Sequence, residues 1–567
     1  MGEPPYELEA DPAADIDTYE SDVRGFLSGG MPAAVLKAKR VPRGIYEQRQ
    51  DGTYMVRVRV TAGVLRCEQV QMLSELSREF GDGVLHITTR QDVQFHDISI
   101  QHTPEIMRRL LRVGLTTKGG GGNTVRTITT CPYAGICPNE CFDPSGFAHA
   151  VTDYLIRLVG SYNLPRKYKI AFSGCRADCG LAKISDLGFI ADIHNGKPGF
   201  RVFAGGGMGA HSRIGSLLWE WIPAEDVIRV SEAIRRLFDK HGDRKNRQRA
   251  RLRFVFDRIG DDEFRRLLGD EMVRVIETGV PPCDPQADLT ANPPNRQPES
   301  PVLEEMDGIR CLPQKQEGWV SVPLHPRLGL IPAEDFASLG RLAERFSAEG
   351  GLWTTRSQQL QIRFVPKPDL HILAAELRKL TTDFVNSNSA AKCFTTCAGA
   401  ATCRLGLCFS RNAALACEEQ LRDSGLTGVL DGFAVYVNGC PNACGHQPIA
   451  PIGLSGAAHR VDGHLVPAYR VTMGGRCDAD GARLGSAVGQ VPAKALPGFI
   501  REVAADYINH RMQGETFTKY FERTDQGHFT NMLSRYTPVP EFEDRPEFFQ
   551  DFGSDEYFSL AGRGAGE

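Results

Sequence analysis

The chain has almost no net charge, no long apolar run and few cysteines for its length. Its 66 basic residues are balanced by 70 acidic ones, leaving a net charge of −4, so no overall field draws in nucleic acid or an anionic membrane surface. No stretch approaches the roughly 20 consecutive apolar residues of a membrane span. The opening MGEPPYELEADPAAD is acidic and lacks the apolar core of a secretory signal. Sixteen cysteines in 567 residues fall far below the density of a disulfide-stapled scaffold. These absences predict a cytoplasmic protein with reduced thiols and neither nucleic acid nor membrane as partner. The length and the 41% of hydrophobic residues predict several domains with substantial cores.

The cysteines that are present form a pattern that occurs twice. The second copy reads CAGAATC and then NGCPNACG, offering Cys397, Cys403, Cys440 and Cys444 with spacings C-x5-C and C-x3-C. The first copy, CPYAGIC and SGCRADCG, offers Cys131, Cys137, Cys175 and Cys179. Cys131/Cys397 and Cys137/Cys403 lie 266 apart, and Cys175/Cys440 and Cys179/Cys444 lie 265 apart, so a single deletion separates two aligned halves. Four thiolates gathered from two loops suit a 4Fe-4S cluster. Structural zinc usually takes pairs two to four residues apart, and the wider first spacing argues against it. Cys141, Cys393 and Cys408 stand close enough in sequence to enter alternative ligand sets. Cys67, Cys283, Cys311, Cys417 and Cys477 read as ordinary buried thiols.

Periodicity places these motifs. Residues 1–43 read as an irregular arm. Val56, Val58 and Val60 alternate with Arg57 and Arg59 as a half-buried strand, Val70, Leu73, Leu76 and Phe80 share a helical face, and residues 84–89 return as a strand. A strand near Gln94 follows, then a helix opened by Thr103 and Pro104 and closed by Gly114. This β-α-β-β-α order predicts an α+β sandwich. It recurs with strands at 319–322, 352–356 and 359–365 and helices at 333–346 and 369–380, and Thr-Thr-Arg ends at Arg90 and again at Arg356. Asp261 and Asp262 open a helix that Gly279 stops. Seven prolines between Pro281 and Pro301 make a linker. The aromatic, charged tail is expected to wrap the surface or meet a second subunit.

The two cysteine sets, together with TTRQDVQFH, NLPRKYK, HGDRKNRQRARLRF and NGCPNACG, make residues 45–515 resemble the sirohaem-dependent sulfite and nitrite reductases. The resemblance implies an internally duplicated α+β fold: two ferredoxin-like α/β sandwich domains plus two sirohaem/4Fe-4S-binding α/β domains with pseudo-twofold symmetry. The expected boundaries are an arm at 1–43, half-domains at 44–117 and 313–385, cluster domains at 118–279 and 386–512, a linker at 280–312 and a tail at 513–567. It further implies that Cys444 bridges cluster and haem, with Asn442 as a cofactor-binding residue of the same loop and Arg476 on a haem carboxylate. Arg90, Arg126, Lys167 and Lys169 match the family's anion-binding cations. In the pseudo-twofold arrangement they face the haem ligated by the other half, while their counterparts Arg356, Lys392, Gly432 and Ala434 keep only two cations. Because both halves carry cysteines, as when two dissimilatory-type subunits are fused, two 4Fe-4S clusters are implied, with one sirohaem or two.

Fixed cations suit an oxyanion whose oxygens leave as water, since they hold it, offset the charge of added electrons and help supply protons. Lysine is the compact charge and the better proton donor. Arg57 and Arg59 face either haem carboxylates or solvent, and His96 reads as a hydrogen-bonded structural histidine. Gly205–Gly207, Gly474 and Gly475 lack the context of a dinucleotide loop and read as close backbone approach to the macrocycle. The expected reaction is reduction of sulfite to sulfide, preferred over nitrite to ammonia because of Lys169. A non-catalytic electron carrier or tetrapyrrole-processing protein is the alternative of another class. No flavin or nicotinamide domain is visible, so electrons are expected from a separate ferredoxin-like or flavoprotein donor.

Overall fold

The computed structural model describes residues 11–284, 304–306, 309–384, 390–426, 430, 432–561 and 563–564. Most of the proline-rich linker lies outside the described residues. The expected α+β duplication is present, and the two sandwiches are interlocked. One sheet runs Ile45–Glu47, Thr53–Val58, Val93–Ser99, Val84–Ile87 and finally Leu330–Pro332, a strand donated by the other half. The second sheet reciprocates: its last strand, beside Gly351–Thr354, is Val64–Arg66. Antiparallel pairing of Leu330 with His86 and of Leu65 with Leu352 closes an edge on each sheet. The helices Cys67–Phe80 and Ala333–Phe346 pack against each other, and a single apolar cluster runs through both sandwiches, from Leu73 and Phe95 to Phe336 and Ile362.

Each half then adds a mixed sheet. In the first, Thr129–Thr130, Ile170–Ser173 and Leu187–His194 are parallel, and Lys197–Ala204 and Ser216–Pro223 turn back antiparallel. The second repeats this with Phe394–Thr396, Val435–Asn438, Ile452–Val461, His464–Met473 and Ser486–Pro492. In both, the C-terminal ends of two neighbouring parallel strands lead straight into the cysteine loops, which is how residues more than 40 positions apart arrive at one place.

The arm is not irregular: Pro12–Leu27 and Ala33–Arg40 are helices, and Ile16, Tyr19, Val23 and Leu36 join the sandwich core. Its acidic residues earn their place as partners, Asp15 binding Arg43 at 2.5 Å. The tail packs on its own chain, with Phe517, Tyr520, Phe529 and Leu533 in the core of the second cluster domain. Arg59 is buried and Arg57 half-buried: they donate to the Gly120, Lys118 and Val125 carbonyls and clamp the glycine-rich 119–122 loop. The helix expected to open at Asp261 is the second arm of Leu252–Glu277, bent at Gly260, whose φ of +79° is a left-handed value open to glycine.

Candidate anion and cluster site

Both cysteine sets assemble. In the first, the Cys131 thiol is within hydrogen-bonding reach of Cys179, and Cys137 of Cys175. In the second, Cys444 lies near enough to Cys397, Cys403 and Cys440 to oppose the ionisation of each. Burial and this mutual repulsion push Cys403 up to about 11 and Cys440 higher still. Such thiols ionise when iron draws off their protons, so metal loading and proton release are coupled. Among the described residues no three His, Cys, Asp or Glu side chains converge closely enough to hold a single metal ion.

The ligand loops are built alike. Asp178 and Ala443, one residue before the last cysteine, have φ of +54° and +55°, and Leu181 and His446, two after it, have +58° and +60°. Such values are costly for residues other than glycine and persist only where surroundings enforce them. Beside these loops, Ile184 and Met208 of the first half share an apolar cluster with Ala443 and Ile449 of the second. The Asn442 amide reaches back to Cys440, and Cys444 is the exposed member of its set.

Above Cys444 stand the cations. Thr89 Oγ1 donates to the Cys444 carbonyl at 2.7 Å, placing Arg90 beside that loop. Arg126 is tied to the lysine strand by its amide, which donates to Tyr168 O at 2.8 Å, and Lys169 is anchored through its own amide to Asp186 Oδ2 at 2.9 Å. Lys167 sits in the field of both Cys444 and Arg251, and burial is the main force lowering it to about 7. Burial likewise lowers Lys169, with Arg90 and Lys167 adding repulsion. The pseudo-symmetric site differs. Arg356 is spent on Thr89 O, Thr129 Oγ1 and Gly180 O, at 2.9, 2.8 and 2.7 Å.

Arg251 and Arg253 belong to the HGDRKNRQRARLRF stretch. Arg251 donates to both carboxylate oxygens of the buried Asp186, at 2.8 to 3.0 Å. A Cβ at Gly207 would lie 2.8 Å from both Arg251 and Arg253, so the glycine loop is the bed of these guanidiniums. Gly475 would likewise meet the Ala450 carbonyl at 2.7 Å. His96 is hydrogen-bonded to Gln48 Oε1 at 2.9 Å, a structural role. Arg476 divides itself between Glu522 and Asp480.

Several of these cations leave buried nitrogens without a hydrogen-bond partner among the described residues: Arg90 Nε and Nη1, Arg253 Nε and Nη1, and Arg476 Nε. Leaving buried charge unpaired is expensive. The groups that would satisfy it are anionic: a polycarboxylate macrocycle such as sirohaem, and a small oxyanion, both of which this donor set fits. Residues 121–275 match the nitrite and sulphite reductase 4Fe-4S domain, and residues 46–113 and 312–380 match the nitrite/sulfite reductase ferredoxin-like half domain. The chain belongs to the sirohaem-dependent nitrite and sulfite reductase family. Its relatives include the ferredoxin–nitrite reductase of Synechococcus elongatus, 32% identical over 80% of this chain and 86% of that one. The ferredoxin-type sulfite reductase of Mycobacterium tuberculosis is 30% identical over 85% and 87%. The structure of the Mycobacterium tuberculosis NirA protein superposes with a TM-score of 0.76 at 26% identity, covering 92% of this reductase and 98% of that chain. The reductase is thus an oxidoreductase of sulfite or nitrite with iron–sulfur and sirohaem cofactors. Among its described residues no helix is long and apolar enough to cross a membrane.

Proposed function

We propose that this reductase converts sulfite to sulfide at a sirohaem held by Cys444 and coupled to the cluster of Cys397, Cys403, Cys440 and Cys444. A second cluster sits on Cys131, Cys137, Cys175 and Cys179, and the electron donor is a cytoplasmic ferredoxin-class protein, the donor named for several relatives. When bound, the sirohaem and cluster supply one-electron reducing chemistry to the anion. The single observation that carries the reading is the set of four cations at the Cys444 loop, with two Arg90 nitrogens left without a hydrogen-bond partner among the described residues. Arg90 and Arg126 hold the oxyanion, their forked donors matching two oxygens. Lys167 and Lys169, desolvated so that they release protons readily, hand over the protons with which oxygen leaves as water. Hydrogen sulfite takes up six electrons and six protons and leaves as hydrosulfide and three waters.

Nitrite is the second reading, and the Synechococcus elongatus relative favours it. Lys169→Asn separates the two. Removing one cation and one proton donor lowers kcat/KM for sulfite by roughly a hundredfold, in the range of a lost electrostatic donor, and for nitrite by much less. Steady-state turnover with each anion and one reduced donor measures this, and an equal loss on both removes the preference for sulfite.

A further inference from the structure

The two cysteine sets are pseudo-symmetric in backbone but not in charge. In the first, the amide of Lys315 donates to Ile136 O at 2.9 Å and Gln316 Nε2 donates to Gly135 O at 2.8 Å. In the second, the amide of Arg49 donates to Thr402 O at 2.9 Å and Gln50 Nε2 to Ala401 O at 2.7 Å. Each pair of donors and acceptors is separated by the same 266 positions, so Arg49 and Lys315 are equivalents, as are Gly406 and Glu140, and Arg411 and Ser145. Each half thus sends one basic residue against the x5 loop of the other half's cysteines.

What meets that residue differs. Lys315 Nζ is paired with the buried Glu140 Oε1 at 3.0 Å, so the first set's added cation is cancelled. Among the described residues the Arg49 side chain donates to the Gly406 carbonyl, 2.9 Å from Nη2, while its Nε is buried with no hydrogen-bond partner. An acid cannot occupy position 406, where a Cβ would lie 2.6 Å from the Ala400 nitrogen. Arg411 follows Ser410, whose Oγ is 3.4 Å from Cys397 Sγ, and its Nε and Nη2 are also buried without a hydrogen-bond partner among the described residues. Asp551, a buried acid on this side, accepts from the amides of Phe409 and Phe552 at 2.8 Å each and acts on Arg49 through space, without a hydrogen bond to it. On the first side, Glu140 and Asp178 instead stand close to Cys175.

We infer that Arg49 and Arg411 are positioning residues that raise the reduction potential of the cluster held by Cys397–Cys444 above that of the cluster held by Cys131–Cys179. Cluster potential follows the charge and hydrogen bonds around the sulfurs, and a desolvated guanidinium favours the added electron. Reducing equivalents therefore collect on the centre adjoining the four-cation site, and the first centre lies uphill of it. The ordering of two centres rests on the two-cluster reading; the effect of Arg49 and Arg411 on the second does not.

The test is an anaerobic redox titration of the full-length holoprotein followed by electron paramagnetic resonance. In the parent protein, the cluster magnetically coupled to haem titrates at the higher potential. Arg49→Gln and Arg411→Gln each disfavour its reduction at least tenfold, 59 mV for a one-electron couple, and Arg49→Lys keeps most of the parent value. An unchanged potential in an Arg49→Gln protein with full cluster content overturns the inference. If the glutamine variants fail to assemble, the order in the parent decides, and a haem-coupled cluster at the lower potential overturns it equally. Finding only four cluster irons per chain would end the two-cluster reading while the Arg49 arm still judges the role of charge.

Discussion

Single residues here carry charges or thiols that the rest of the chain must support. Cys444 is the exposed ligand of its set, and its carbonyl is fixed by Thr89 Oγ1 from the opposite half. Replacing it with serine removes the soft ligand proposed to link the cluster to the haem. The expected result for Cys444→Ser is a loss of anion reduction by at least about a thousandfold, as when a chemically essential group is removed, measured in protein whose haem absorbance is retained. Near-parental turnover in such protein would reject the assignment of Cys444. The same scale shows why Arg90 and Arg356, identical in motif, differ in work. Arg356 spends its donors on three oxygens of the protein, whereas Arg90 leaves two nitrogens unmatched.

At the scale of elements, the sandwich is held by strand exchange and by buried polar groups that must stay neutral. His325 follows the strand Trp319–Leu324, and its amide donates to Phe384 O at 3.1 Å. Burial, reinforced by Lys392 and Arg310, lowers its pKa to about 3, well below the 6.5 of an exposed imidazole. The folded state therefore refuses a proton that the unfolded state accepts. Stability from this group is complete above pH 6.5 and is lost as pH falls toward 3. Between pH 7 and pH 5 the loss is about 2 kcal/mol for one such histidine. Denaturant unfolding at the two pH values should show a smaller pH-dependent loss in His325→Gln by that amount. Equal losses in parent and variant would mean that His325 is already protonated in the fold.

The whole molecule is two copies that complete one another. Each sandwich sheet borrows a strand, and each cysteine loop is braced by donors from the other half, as Arg356 braces Gly180 and Arg49 braces Thr402. The two-cluster reading predicts eight cluster irons per chain in anaerobically purified, fully loaded protein, four per cysteine set. Cys179→Ser should cost about half of them and lower Tm, because metal binding is coupled to folding. Turnover should fall far less than in Cys444→Ser, since the site facing Cys179 lacks lysine at the positions of Gly432 and Ala434. Iron analysis beside a thermal melt checks this, and four irons in the parent protein would refute it.

The sequence alone determined the duplication, because cysteine spacing and the 266-residue offset are linear properties, and it marked most strands and helices, because side-chain periodicity follows from backbone geometry. It also brought forward Arg90, Arg126, Lys167 and Lys169, since they stand in motifs. Other features were decided only in three dimensions. Pro12–Leu27 is a helix because Ile16, Tyr19 and Val23 find the sandwich core, a partner invisible in an acidic, weakly periodic segment. The exchanged strands Val64–Arg66 and Leu330–Pro332 are three residues long, too short to show alternation, and exist because a neighbouring sheet offers an edge. Arg57 and Arg59 alternate with valines as solvent-facing residues do, yet a glycine-rich loop folds over them. Arg49 and Lys315 are two basic residues in matching places, and only the tertiary fold sets one against Gly406 and the other against Glu140. Pairing of charge is a property of distance in space, which sequence separation does not fix.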